Sequence, residues 1–252
     1  MTHLYLAYAG ECAPALRTID WSLGVNLLVA YPYLLHYRKD AVDFAPARTL
    51  LDSGAYSVHA SGAVIDLDAL ARESIRPCWT EAAALDVIGD PVASKANAVS
   101  MRLLGSAAWP TFHVGDPWEL LNFYVAHWPK VGLGGMVGRS VSALQPWLRT
   151  VFARTWPHRF HSFGQTSMRL LQEFPFHSAD ASSWSLQPLA YRERIAIRGS
   201  RLAGGRHVTG LTRAATVASL RYRVLEIVEQ ERRLASHWRS ELRSLQNAGS
   251  GR

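Results

Sequence analysis

Eight short apolar runs, separated mostly by helix-length stretches, constrain this chain more than any other feature. The runs are Leu4–Ala9, Val25–Val29, Thr49–Asp52, Ala84–Ile88, Pro110–Val114, Val131–Gly134, Phe160–Phe163 and Phe176–Asp180. Helical stretches fall at Leu67–Arg76, Ala93–Leu104, Pro117–His127, Val141–Arg154 and Ser167–Glu173. Strand alternating with helix implies parallel strands joined by crossovers. Eight such strands in 252 residues predict an α/β fold, a closed (β/α)8 barrel of the TIM type, with a doubly wound open sheet as the rival. The whole chain, 1–252, reads as one domain without repeats. Its last part differs: a loop rich in arginine and glycine spans 185–213, and 214–246 reads as one long helix. In that helix Val217, Leu220, Val224, Leu225, Ile227, Val228 and Leu234 form an apolar stripe, with Arg221, Arg223, Arg232, Arg233, Arg239 and Arg243 on the remaining surface.

Composition narrows the class. At 48% hydrophobic and 19% charged residues, the chain can bury a sizeable core. No run of 18 apolar residues and no basic, apolar leader is present, so a cytoplasmic protein without a membrane span is expected. Cys12 and Cys78 stand apart without ligand spacing, which argues against a metal site. The net charge of +7, carried mainly by arginine, fits either a polyanionic partner or a coding bias that exchanges lysine for arginine.

In a barrel of this kind the chemistry sits where strands end. The ends carry Asp52 in "LLDSGAYS", Asp86 and Asp90 in "LDVIGDP", His113 in "TFHVGDP", the glycines of "GLGGMVG", His161 and Gly164 in "HSFGQTS", and Asp180 in "FHSADASSW". Each residue also has a structural reading. Asp52 and Asp180 fit helix caps, and Asp90 before Pro91 fits one better still. The two histidines fit buried, hydrogen-bonded roles, and the glycines fit a tight turn as well as a bare backbone for a ligand.

Taken in order, "DSGAYS", "LDVIGDP", "FHVG", "GLGGMVG", "HSFGQTS" and "SADASSW" resemble the active-site elements of the tRNA-guanine transglycosylase superfamily, over roughly 50–184. The resemblance is greater to the short phage and bacterial DpdA-like DNA-guanine transglycosylases. The tRNA enzymes carry a CxCxxC…H zinc site after the late aspartate; no cysteine follows Cys78 here, and "GLGGMVG" lacks their loop glutamate.

The resemblance implies exchange of guanine in DNA for a 7-deazaguanine base of the preQ0 type, which is a co-substrate, with no cofactor. Asp180 is then the nucleophile and Asp52 the general acid/base. The base pocket would comprise Asp90 in preference to Asp86, His113, the backbone of Gly134 and Gly135, Met136 or Tyr56 stacked on the ring, and Ser53 and Gly54, with Gly54 leaving room for the ring. Arg139, Arg198, Arg201, Arg206, Arg213 and the terminal helix would contact DNA phosphates. The alternatives are exchange in tRNA, a retaining nucleoside or glycoside hydrolase, and a non-catalytic nucleic-acid binding module.

Overall fold

Each apolar run lies in or beside one strand. In the computed structural model, which describes residues 2–61, 64–181 and 213–249, the strands are β1 (His3–Ala7), β2 (Asn26–Ala30), β3 (Arg48–Asp52), β4 (Glu81–Ala82), β5 (Thr111–His113), β6 (Lys130–Gly134), β7 (Arg159–Ser162) and β8 (Ser178–Ala181). All pair in parallel, in the order β4-β3-β2-β1-β8-β7-β6-β5. The two ends of this sheet meet at a parallel bridge between Ala83 and Trp109. There the Trp109 N–H donates to the Ala82 carbonyl at 3.0 Å and the Ala84 N–H to the Trp109 carbonyl at 2.9 Å. The ring is therefore closed, and the fold is a (β/α)8 barrel.

The fourth strand lies earlier than the expected run at Ala84–Ile88. Beyond Ala84 the backbone leaves the sheet and finds side-chain partners instead: the Leu85 N–H reaches Met101 Sδ and the Val87 N–H reaches Ser94 Oγ at 2.8 Å. This early exit carries Asp86 onto the C-terminal face of the barrel.

Helices fill the crossovers: α1 (Ala13–Leu16), α2 (Leu34–Asp40), α3 (Ala55–Ser61), α4 (Leu67–Ser74), α5 (Pro91–Leu103), α6 (Trp118–His127), α7 (Val141–Thr155) and α8 (Met168–Glu173). Asp66 caps α4 through the Ala69 N–H, and Ser140 caps α7 through the Ala143 N–H, so side-chain oxygens satisfy the first free amides of these helices. Strand faces and helix stripes together bury Leu27, Leu50, Leu51, Phe112, Val131, Phe160 and Leu171 in one continuous core.

The terminal helix, α9 (Arg213–Gly249), packs against α1, α8 and β1 and so takes the place of the last barrel helix. Leu220, Val224, Val228 and Leu234 are buried as the stripe requires, whereas Leu225 faces solvent. Glu231 of α9 reaches the N-terminal ends of the strands. It accepts hydrogen bonds from the Leu4 N–H at 3.0 Å and Asn26 Nδ2 at 3.1 Å, and it faces His3 Nδ1 at 3.2 Å. The arginines that follow it, Arg232, Arg233, Arg239 and Arg243, are exposed on the part of the helix beyond this point, away from the strand ends where Asp52 and Asp180 sit. The later turns of the helix, expected to contact DNA phosphates, therefore lie toward the opposite end of the barrel from the carboxylates.

Glu231→Ala leaves part-buried donors without a partner, which costs about 1–3 kcal/mol. Urea unfolding should show a free energy of unfolding lower by that amount, seen as a lower midpoint with an unchanged slope. An unchanged midpoint contradicts a clamp at Glu231.

Candidate active site at the mouth of the barrel

Three carboxylates converge on the C-terminal face from three parts of the sheet. Asp52 ends β3, Asp86 follows β4, and Asp180 lies in β8. They interact electrostatically: the pKa of Asp52 is pushed up to about 7, first by burial and then by the negative charges of Asp86 and Asp180. The amide of Gly54, which donates to Asp52 Oδ2 at 3.1 Å, only partly opposes that rise. Asp52 thus exchanges its proton near neutral pH, the range in which a general acid/base works best.

Asp86 is held from two sides. Ser53 Oγ donates to its Oδ1 at 3.1 Å, and His113 Nε2 lies 3.0 Å from its Oδ2. The other nitrogen of His113 lies 3.6 Å from Asp116, whose Oδ2 also accepts the His113 N–H at 2.8 Å. Burial alone would lower the pKa of this imidazole, but Asp116 and Asp86 outweigh it and raise it to about 9. His113 is therefore a cation at neutral pH, clamped between two acids. Each oxygen of Asp86 keeps a lone pair for another donor.

Asp180 is placed differently. His161 Nε2 lies 3.2 Å from its Oδ1 and the Gly164 N–H donates to the same oxygen at 3.0 Å; among the described residues no hydrogen bond reaches Oδ2. His161 is fully buried, and that burial lowers its pKa. Its Nδ1 lies 2.8 Å from Ser178 Oγ, which accepts from Lys130 Nζ at 2.8 Å. Lys130 also pairs with Glu81, which in turn accepts from the Tyr5 hydroxyl at 2.8 Å. Burial places Lys130 below the ordinary lysine range, while Glu81, which burial would raise, is held down to about 2 by Lys130 and Tyr5. These contacts join β1, β4, β6, β7 and β8 across the interior, which in most such barrels is filled by branched aliphatic side chains.

Several residues expected in the base pocket have other work. Asp90 is exposed and caps α5, accepting from the Val92 and Ala93 amides at 3.1 and 2.9 Å; its carboxylate points along the helix, and Asp86 occupies the site. Met136 is fully buried in the core and offers no surface to a ring. Tyr56, on the first turn of α3, is 71% exposed. The gap beside Gly54 is filled by Pro32, whose Cδ would lie 2.3 Å from an added Cβ. A Cβ on Gly134 would lie 2.5 Å from the His113 ring, so this glycine makes room for His113. Gly135 has φ of +71° and its carbonyl accepts from Arg139 Nε at 2.9 Å. Arg139 itself is exposed in the loop after β6, on the same face as the carboxylates.

The arginine- and glycine-rich loop, with Arg198, Arg201 and Arg206, lies outside the described residues; Arg213 opens α9. Among the described residues no cluster of metal-ligating side chains occurs, and no helix is long and apolar enough to cross a membrane.

The sequence reading did not bring out Asp116, Ser178, Lys130, Glu81 or Tyr5. The period-2 pattern of "HSAD" puts Ser178 on the same strand face as Asp180, which is the signal that identifies it.

No family model matches the chain, and no curated protein sequence does. Among solved structures it is similar to a mutant tryptophan synthase alpha-subunit from the hyperthermophile Pyrococcus furiosus. The two are 13% identical over 90% of this chain and 97% of that one, with a TM-score of 0.51. A second mutant of the same subunit has equal identity and coverage and a TM-score of 0.49. At this identity the first likeness bears on the barrel fold alone.

A carboxylic acid whose pKa rises on folding makes the protein less stable as pH climbs from its unfolded to its folded value, because the unfolded chain has already released the proton. Asp52→Asn removes that penalty. The variant should be more stable than the parent by a margin that grows between pH 4 and 7 and levels off near 4 kcal/mol or below, an order-of-magnitude figure of about 1.4 per pH unit. Thermal unfolding across pH 4 to 8 checks this, and a constant margin contradicts the strained setting of Asp52.

Proposed function

We propose that this chain is a DNA-guanine transglycosylase, exchanging guanine for a 7-deazaguanine base through a glycosyl ester on Asp180. The observation that carries the reading is the pair of acids in unlike settings. Asp180 is anchored through one oxygen, with no hydrogen bond to the other among the described residues, and Asp52 is poised to trade a proton near pH 7. Base exchange with retention needs that division of labour.

In the first displacement Asp180 Oδ2 forms a bond to the anomeric C1′ as the bond from C1′ to N9 breaks. The electron pair passes into the departing guanine, which takes the proton of Asp52. In the second, the incoming base gives its N9 proton to the Asp52 carboxylate and attacks C1′, and Asp180 leaves as a carboxylate. The proton and the bond count both balance, and no water is required. Asp86 accepts from the N1–H and amino edge of the purine, with Ser53 and the His113 cation fixing its orientation. A paired guanine must leave the stack to reach these groups, or the substrate is single-stranded. Arg139, exposed in the loop after β6, would meet a phosphate at this face.

Labelled guanine should enter DNA and not tRNA, and unlabelled 7-cyano-7-deazaguanine should suppress its entry. Asp180→Asn should bind DNA as the parent does yet lose turnover by at least about a thousandfold, as expected when a nucleophile is removed. Label in tRNA moves the activity to RNA, release of free guanine without exchange indicates a hydrolase, and full activity of folded Asp180→Asn defeats the assignment.

Because the free enzyme must hold the Asp52 proton to release guanine, kcat/KM for the nucleic acid should fall as pH rises through about 7. The pH–rate profile of the exchange measures this, and Asp52→Asn should flatten it.

A further inference from the structure

The interior chain from Lys130 to Asp180 runs in one direction. Lys130 has three protons and no acceptor; they face Glu81, Ser178 Oγ at 2.8 Å and the Trp109 ring, whose centroid is 4.7 Å away. A hydroxyl that accepts from an ammonium group has its own proton free to donate, and the near acceptor is His161 Nδ1 at 2.8 Å. With Nδ1 accepting, the proton of a neutral imidazole lies on Nε2, which faces Asp180 Oδ1 at 3.2 Å. The other neutral tautomer sets two lone-pair atoms against each other at Asp180 and leaves the serine proton without a use. Lysine is rare among the basic residues of this chain, and its ammonium is a compact point charge with three donors.

We infer that Lys130, acting through Ser178 and His161, is the positioning system of Asp180: it fixes His161 as the neutral Nε2–H tautomer, which holds Oδ1 and leaves Oδ2 open to the anomeric carbon. The inference rests on the proposed role of Asp180 for its catalytic meaning, and on geometry alone for the state of His161. In the glycosyl ester, Oδ1 becomes the carbonyl oxygen. The His161 Nε2–H and the Gly164 N–H then donate to the atom that regains negative charge when Asp180 departs, as donors in an oxyanion hole do. Neither proton is transferred.

The charged and titratable groups facing His161 are Asp180 on β8, Lys130 on β6, Glu81 on β4 and Tyr5 on β1, with Trp109 and Phe163 packed on the ring. Burial and the positive charge of Lys130 both oppose an imidazolium there.

The test is nitrogen NMR of the full chain labelled with 15N-histidine, recorded from pH 5 to 7.5. The histidine signal pair that vanishes in His161→Gln should stay neutral throughout and be protonated on Nε2; His177, whose pKa burial lowers to about 4, also stays neutral over this range but persists in that variant. In Ser178→Ala that pair should change tautomer or begin to titrate, and turnover should drop on the order of a hundredfold with little change in KM. An Nδ1–H tautomer, or a His161 that titrates in the parent protein, overturns the inference. So does a Ser178→Ala protein, folded by circular dichroism, with parental turnover in whatever nucleic acid the parent modifies. If the parent exchanges no base but its His161 spectrum is as expected and responds to Ser178→Ala, the positioning chain stands and the assigned reaction fails.

Discussion

The structure depends on one costly arrangement, an ion pair enclosed within the barrel. Lys130 and Glu81 are both largely buried, and removing such groups from water opposes folding unless every remaining proton and lone pair is met. Here Tyr5, Ser178 and the face of Trp109 meet them. Replacing the pair with aliphatic side chains would give an ordinary barrel core. What the polar interior provides is direction: it ends at His161, and His161 ends at the one carboxylate that lies in the eighth strand.

The mouth follows the same logic with opposite sign. Three of the acids at the C-terminal face interact through their charges, and the protein separates their behaviour by giving each a different partner. Asp86 has a protonated His113 and a serine hydroxyl; Asp180 has a neutral histidine and a backbone amide. Asp52 has backbone amides and, among the described residues, no cation; burial and the charges of the other two acids suppress its own. Sites that hold a group in an unfavourable state commonly lower the stability of the fold that carries them. The glycines of the sixth strand belong to this construction too: Gly134 makes room for the His113 ring, and Gly132 for Trp109 and Phe163.

Much of this was legible in the sequence because hydrophobic runs mark parallel strands well. All eight strands fall in or beside the expected runs, and Asp52, Asp86, His113, His161 and Asp180 do converge. The fourth run was displaced because "EAAALDVI" is apolar beyond the point where the backbone leaves the sheet; small alanines pack equally well in a strand or after it. Asp90 and Asp86 compete for the same strand end, and Pro91 identifies Asp90 as the cap more directly than motif spacing identifies it as a ligand. The neighbour of Gly54 could not be foreseen, since it comes from Pro32 on another loop. The pairing of Lys130 with Glu81 joins residues 49 positions apart across the interior, and register of that kind is set by closure of the ring rather than by any local pattern.

The central claim is that Asp180 becomes covalently attached to the sugar. The direct measurement is mass spectrometry of the protein after incubation with guanine-containing DNA under rapid denaturing quench, without any incoming base. The account predicts that the peptide containing Asp180 carries the DNA strand through the C1′ of a deoxyribose that has lost its guanine, discharged when 7-deazaguanine is added before the quench. An adduct on Asp52 or Asp86, or release of guanine with no adduct on the protein, would contradict it.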